Sequence, residues 1–280
     1  GMKVESMLPI SHSQDEINPV GANDYVGEDG LIVCGVCGRR KQYRVVFGSL
    51  KKVVPCICKC REEELERKKE QDEYEQRMYV INRLKDASMM ASKYRDASFS
   101  RYRIRKENQR AYKLAVNYIN RFSEMRKKNQ GLLLYGPVGT GKSYTAACIA
   151  NALMEKRVPV VMTSFVKILQ DIQGNVKESD YIQILNSASL LIIDDLGAER
   201  NTDYALEKVY NVIDSRVRTN KPMILTTNLT LNEMLQCTDI RYKRVYDRIF
   251  ETCYPVEMPG ESFRQLEAAD RFDRMKQFLE

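Results

Sequence analysis

Residues Gly136 to Ser143 read GPVGTGKS and fill every fixed position of the pattern G-x-x-x-x-G-K-[ST]. Residue types at this spacing are suited to holding a phosphate chain. Glycines let backbone N–H groups converge on anionic oxygens at the start of a helix. Lys142 would reach the β- and γ-phosphates, and the Ser143 hydroxyl would hold Mg²⁺. The expected contact set is Gly136, Pro137, Val138, Gly139, Thr140, Gly141, Lys142, Ser143 and Tyr144.

Splitting a bound nucleotide also requires acid at the end of a strand. Leu190-Leu-Ile-Ile-Asp194-Asp195 supplies four apolar residues closed by two carboxylates. Asp194 would orient Mg²⁺ through a water, and Asp195 stands where a hydrolytic base is wanted. A strand that simply ends in a polar turn is the competing account. A third element is Thr226-Thr227-Asn228. Asn228 can bond the attacking water or the γ-phosphate, or it can cap the helix that begins near Leu229.

The cysteines suggest separate chemistry. Cys34-Gly-Val-Cys37 is followed, about twenty residues on, by Cys56-Ile-Cys58-Lys-Cys60. The gap suits a zinc ribbon, but three cysteines compete for two places in a tetrahedral Cys₄ site. Free or redox-active thiols are the alternative. His12, the sole histidine, is a poor ligand candidate, and Cys148, Cys237 and Cys253 read as core or neutral positions.

These groups need elements to position them. Residues 1–30 are polar and are expected to be poorly ordered, and 31–60 form the cysteine module. Residues 61–88 are dense in charge, with Glu63/Arg67 and Glu64/Lys68 four apart as on an exposed helix. Its apolar stripe is narrow: Met78, Ile81 and Leu84. From 89 to 280 helical and strand patterns alternate, which predicts a parallel α/β sheet. Apolar strands are expected at 131–135, 158–163, 189–194, 223–227 and 253–258, and an amphipathic helix at 203–218.

The net charge of +7 is unevenly distributed: residues 38–60 carry seven Lys/Arg and no acid, and 100–128 carry ten against Glu107 and Glu124. Such segments suit a polyanion, most simply nucleic acid, although solvated surface charge looks the same in sequence. No apolar run approaches the length of a membrane span. Gly1 ahead of Met2 reads as an expression remnant, no secretory signal is visible, and a cytoplasmic protein without a disulfide framework is expected.

In combination, GPVGTGKS, LLIIDDLG and LTTN resemble the AAA+ ATPases. Asp194-Asp-Leu-Gly-Ala-Glu199, Arg241 to Glu251 and Gly260-Glu-Ser-Phe-Arg264 are similar to the DnaC/DnaI-type helicase loaders and their IstB relatives, over residues from about 89 to 270. The resemblance implies a P-loop AAA+ fold: a five-stranded parallel sheet flanked by helices with a reduced lid, beside a small zinc-ribbon module and a charged linker helix. It puts Asn228 at the first sensor, Arg248 at the arginine finger with Arg244 in reserve, and Arg264 at the second sensor. It favours Cys58 and Cys60 as partners of Cys34 and Cys37, with Cys56 in reserve. It implies ATP, Mg²⁺ and Zn²⁺ as cofactors. The implied partners are a replicative helicase contacted by the zinc module, single-stranded DNA, and further copies of the chain.

The pattern departs from the family at Asp195, where many members carry Glu. The shorter side chain implies slow turnover, suited to a switch. Two other readings follow: an IstB-like transposition helper, and a zinc-ribbon adaptor that binds ATP without hydrolysing it. Phe99 to Tyr102 mark the expected neighbourhood of the adenine.

Overall fold

The computed structural model describes residues 13–85, 93–174, 177–198 and 202–279. His12, residues 86–92 at the expected linker junction, and Glu199 lie outside them. The chain divides into two compact units, Gly1–Glu75 and Gln76–Glu280.

The first unit contains α1 (Gln14–Ile17), β1 (Tyr25–Val26), β2 (Ile32–Val33), β3 (Gln42–Phe47), β4 (Leu50–Pro55) and the start of α2 (Lys59–Lys85). The strands form two antiparallel pairs, β1 with β2 and β3 with β4. Residues 13–30 correct the expectation of disorder. Ser13 and Glu16 close a capping box on α1, and the Asn18 side-chain amide donates to Cys56 O at 3.0 Å. Asp24 pairs with Lys41 at 2.5 Å, both side chains buried. A buried ammonium needs a carboxylate, and this one recruits it from the polar segment. The helix also starts before the expected 61, taking in Lys59 and Cys60.

The second unit holds the rest of α2, then α3 (Gln109–Asn120), α4 (Phe122–Lys127), β5 (Gly131–Tyr135), α5 (Lys142–Glu155), β6 (Val160–Ser164), α6 (Phe165–Gln173) and α7 (Glu178–Ser187). There follow β7 (Leu190–Leu196), α8 (Asp203–Arg218), β8 (Met223–Thr227), α9 (Leu231–Leu235), α10 (Ile240–Thr252), β9 (Cys253–Glu257) and α11 (Phe263–Leu279). The five strands form one parallel sheet in the order β6-β7-β8-β5-β9. β6 begins after Pro159, whose carbonyl accepts from Ser189 N at 2.8 Å.

Successive strand residues point to opposite faces. Leu132, Leu134, Leu190 and Ile192 pack with α3 and α5, while Leu133, Leu191 and Ile193 pack with α6, α7, α8 and α10. Both faces are therefore covered, and the strands read as unbroken apolar runs. Ile81 of α2 joins the second core, with Met78 against it. The C-terminal edge of this sheet carries the loops after β5, β7 and β8.

Candidate nucleotide site and cysteine cluster

The loop after β5 is shaped by its glycines. Gly136 has φ 151° and Gly139 has φ 78°. A Cβ on Gly136 would collide with the Met258 carbonyl, and one on Gly139 with the Ser262 hydroxyl. Phe263 N donates to Gly139 O at 2.8 Å, so the start of α11 closes against the loop. Lys142 Nζ donates to Gly136 O at 2.9 Å and to Pro137 O at 2.6 Å. Burial pulls the Lys142 ammonium down to about 8, against the opposing pull of Asp195 and then Asp194.

The acidic element lies within β7. Ser143 Oγ donates to Asp194 Oδ1 at 2.7 Å. Thr226 Oγ1, from β8, donates to the same oxygen and accepts from Asp195 N at 2.9 Å. Asp194 is 1% exposed, and its Oδ2 is buried without a hydrogen-bond partner among the described residues. A solitary buried carboxylate oxygen is costly, and a divalent cation beside the Ser143 hydroxyl would satisfy it. The donor set thus fits Mg²⁺, held by Ser143 with Asp194.

Asp195 occupies the left-handed region at φ 58°, where the β7–β8 register shifts between Ile193 and Leu196. A non-glycine residue held there costs on the order of 1–3 kcal/mol, a strain typical of functional turns. Burial raises the Asp195 carboxyl above its ordinary range, Asp194 adds to this, and Lys142, Lys93 and Arg264 oppose it.

A cavity of about 570 Å³ opens here, lined by Gly139 to Tyr144, Asp194, Asp195, Asn228 and Arg264. Asn228 is exposed to it. The capping role belongs to Thr230, which accepts from Glu233 N at 3.1 Å while Glu233 accepts from Thr230 N at 2.7 Å. Asn228 is therefore not the cap of α9. The far wall is aromatic: Tyr102 bonds Thr145 Oγ1 at 2.8 Å and packs on Phe99, Tyr112 and Tyr144.

Five of the six expected catalytic side chains thus share one cavity, and Arg248 does not line it. It lies on α10, ion-paired to Asp214 of α8 at 2.8 Å and to Glu251 at 3.1 Å. Arg244 stacks over the Tyr210 ring at 4.6 Å and donates to its hydroxyl at 3.2 Å. Sequence reasoning missed Thr226 as the bridge between the Asp194 carboxylate and the Asp195 main-chain N–H, although it stood in the LTTN motif. Ser262 and Phe263 were also missed as loop contacts, although both stood in the Gly260 to Arg264 motif.

In the first unit the sulfurs of Cys34, Cys37 and Cys58 lie within 4.8 Å of one another. The Cys60 main-chain N–H, then that of Arg39, hold the Cys37 thiol down to about 6. Burial raises Cys60 to about 11, helped by its neighbours Cys37 and Cys34. Cys56 donates to Arg40 O at 3.3 Å and is not one of the three clustered sulfurs. Clustered thiols in a small unit are a soft donor set that fits Zn²⁺.

The model of the IstB-like ATP binding protein family matches residues 61–270. The Bacillus subtilis phage-like element PBSX protein XkdC is 26% identical over 178 residues, covering 60% of this chain and 67% of the relative. The Escherichia coli replicative helicase loader DnaC is 26% identical over 183 residues, covering 63% and 72%. A solved DnaI structure superposes with TM-score 0.53 at 23% identity over 61% of this chain and 95% of that one, and supports the fold alone. The chain spans between about half and two thirds of the length of its first curated relatives. No described helix is long and apolar enough to cross a membrane. With most of its length matched and its phosphate loop, acidic strand and sheet in place, the chain belongs to the IstB-like ATP binding protein family, a branch of the P-loop AAA+ ATPases.

Proposed function

We propose that the chain is an ATP-dependent loader of a replicative helicase. ATP and Mg²⁺ bind in the cavity above β5, β7 and β8, with Lys142 on the phosphates and Ser143 and Asp194 on the metal. Asp195 takes the proton of the attacking water, Asn228 orients that water, and Arg264 holds the γ-phosphate. The carrying observation is that Arg248 stands apart from the cavity that holds the other five. A guanidinium fixed on an outer helix suits a neighbour's γ-phosphate, so hydrolysis follows assembly.

The domain scheme is part of the reading: a zinc module with Cys34, Cys37, Cys58 and Cys60 as ligands, a charged linker, and the ATPase unit. Zinc would supply a structural cross-link. The loader relatives support a helicase as partner, and assembly would align the ten basic residues of 100–128 along single-stranded DNA. Such binding falls with salt and ignores sequence.

The decisive experiment measures phosphate release with and without single-stranded DNA for wild type and Lys142→Ala, alongside the mass of complexes with candidate helicases. DNA-stimulated release that Lys142→Ala abolishes, with a helicase retained, supports the proposal. Equal release from both proteins, or retention of a transposase instead, overturns it. The second of these outcomes would favour a transposition helper, the reading that the family's IstB name supports.

A further inference from the structure

The β3–β4 hairpin of the first unit has no role in the site described above. Its register pairs Tyr43 with Val54, Val45 with Lys52 and Phe47 with Leu50. Directly opposed residues share a face, and alternate residues return to it. One face therefore carries Tyr43, Val45 and Phe47 beside Val54, Lys52 and Leu50. It is open: Tyr43 is 59% exposed, Phe47 80% and Leu50 65%. The two aromatics lie about 13 Å apart along the strand, with Lys52 between them on the neighbouring strand. The opposite face also exposes Val46 and Val53, but both aromatics stand on this one, and exposed apolar side chains gathered together mark an interaction site.

Charge selects the occupant. Residues 38–60 hold seven Lys/Arg and no acid. Arg40, Lys41 and Lys59 are paired with Asp29, Asp24 and Glu63, and Arg44 donates to Asp29 O at 2.8 Å. Arg39, Lys51 and Lys52 have no ion pair among the described residues, and of the two lysines the register puts Lys52 on the aromatic face and Lys51 on the other. We propose that this face is a second contact for single-stranded nucleic acid, with unpaired bases stacked on Tyr43 and Phe47 and the backbone held by Lys52. Aromatic faces accept any base, and cations between them take phosphates. A duplex keeps its bases stacked on one another and does not fit. The contact is independent of ATP, unlike the assembly-dependent contact of the ATPase unit, and so adds to the proposed function without requiring it.

The sequence contains no tryptophan, so Phe47→Trp in the full chain installs on the face a single tryptophan, which can be excited apart from the tyrosines. The expected result is quenching by oligo-dT without nucleotide, and none by a duplex of equal length. Tyr43→Ala with Phe47→Ala should weaken nucleotide-free oligo-dT binding about tenfold or more, with zinc content unchanged. Tyr43→Phe should retain the affinity. Lys52→Ala should flatten the salt dependence by about one unit of slope. Emission that ignores oligo-dT while ATP-dependent binding persists overturns this site and leaves the loader reading intact. Quenching that persists where ATP-dependent binding is absent does the reverse. Emission that responds to a helicase and not to oligo-dT assigns the face to a protein and overturns the proposal.

Discussion

Thr226 and Asp194 are joined through a hydroxyl donated to Oδ1, the oxygen that also accepts from Ser143 at 2.7 Å. One carboxylate oxygen is thereby fixed by two hydroxyls from β8 and α5, and the other is left for a cation. Thr226→Val removes this bridge and the acceptor of Asp195 N together. A buried group deprived of its partner costs about 1–3 kcal/mol. Thermal denaturation should show a lower melting temperature for the ATPase unit, and hydrolysis should fall more than ATP binding. An unchanged melting temperature would contradict the bridge.

Asp194→Asn keeps the shape and removes the charge that would face a bound Mg²⁺. Affinity for ATP with Mg²⁺ should drop more than about tenfold, while affinity in excess chelator stays near that of wild type. Titration with a fluorescent ATP analogue under both conditions checks this.

Lys142 gives the ATP affinity a pH dependence of defined sign. Its ordinary value is 10.5, and burial lowers it to about 8 in the nucleotide-free site. Bound phosphates favour the ammonium and raise it again. Binding therefore takes up a proton between the two values, and affinity declines as pH rises through about 8. Calorimetry in two buffers of different ionisation heat measures the uptake. Lys142→Arg, whatever its affinity, should show no such slope. With Asp195 as the proposed base, hydrolysis should show a separate acid limb above the usual aspartate range, because burial raises that carboxyl.

Zinc content distinguishes the five N-terminal cysteines. Cys56 donates to the Arg40 carbonyl, whereas Cys60 interacts with the Cys37 and Cys34 thiols. Cys56→Ser should keep one zinc per chain, and serine at Cys34, Cys37, Cys58 or Cys60 should lose it. Elemental analysis after gel filtration reads the result, and zinc lost from Cys56→Ser would refute this ligand set.

Mixing two inactive subunits tests the role of Arg248. In the proposed scheme Lys142→Ala would lack its own phosphate ligand, and Arg248→Ala would be unable to serve a neighbour. Equal amounts mixed at random restore about a quarter of the interfaces of a head-to-tail assembly. Phosphate release near that fraction supports action between subunits, and no recovery would confine Arg248 to its pairs with Asp214 and Glu251.

The ATPase unit was legible in the sequence because its parts obey short-range rules. A strand buried on both faces must be continuously apolar, as Leu190 to Ile193 are, and a phosphate loop must have glycine and lysine at set places. Single residues that act across the fold were not. Thr226 looks like any β-branched strand residue until β7 lies beside it, and Asp24 looks like solvated charge until Lys41 is buried against it. The disorder expected for residues 1–30 failed for that reason at residues 13–30: composition counted their charges without knowing that one had a buried partner.

The sheet order also bears on folding. β5, which carries the phosphate loop, lies between β8 and β9, and Gly131 pairs with Cys253. Closing that pair spans more than a hundred residues, whereas among the described residues of the first unit the longest-range hydrogen bond, Arg61 to Ile17, spans 44. Loop-closure entropy and contact order make the first unit quick to form and the central strand slow. During refolding the thiolates should therefore capture their metal before the chain can grip a nucleotide.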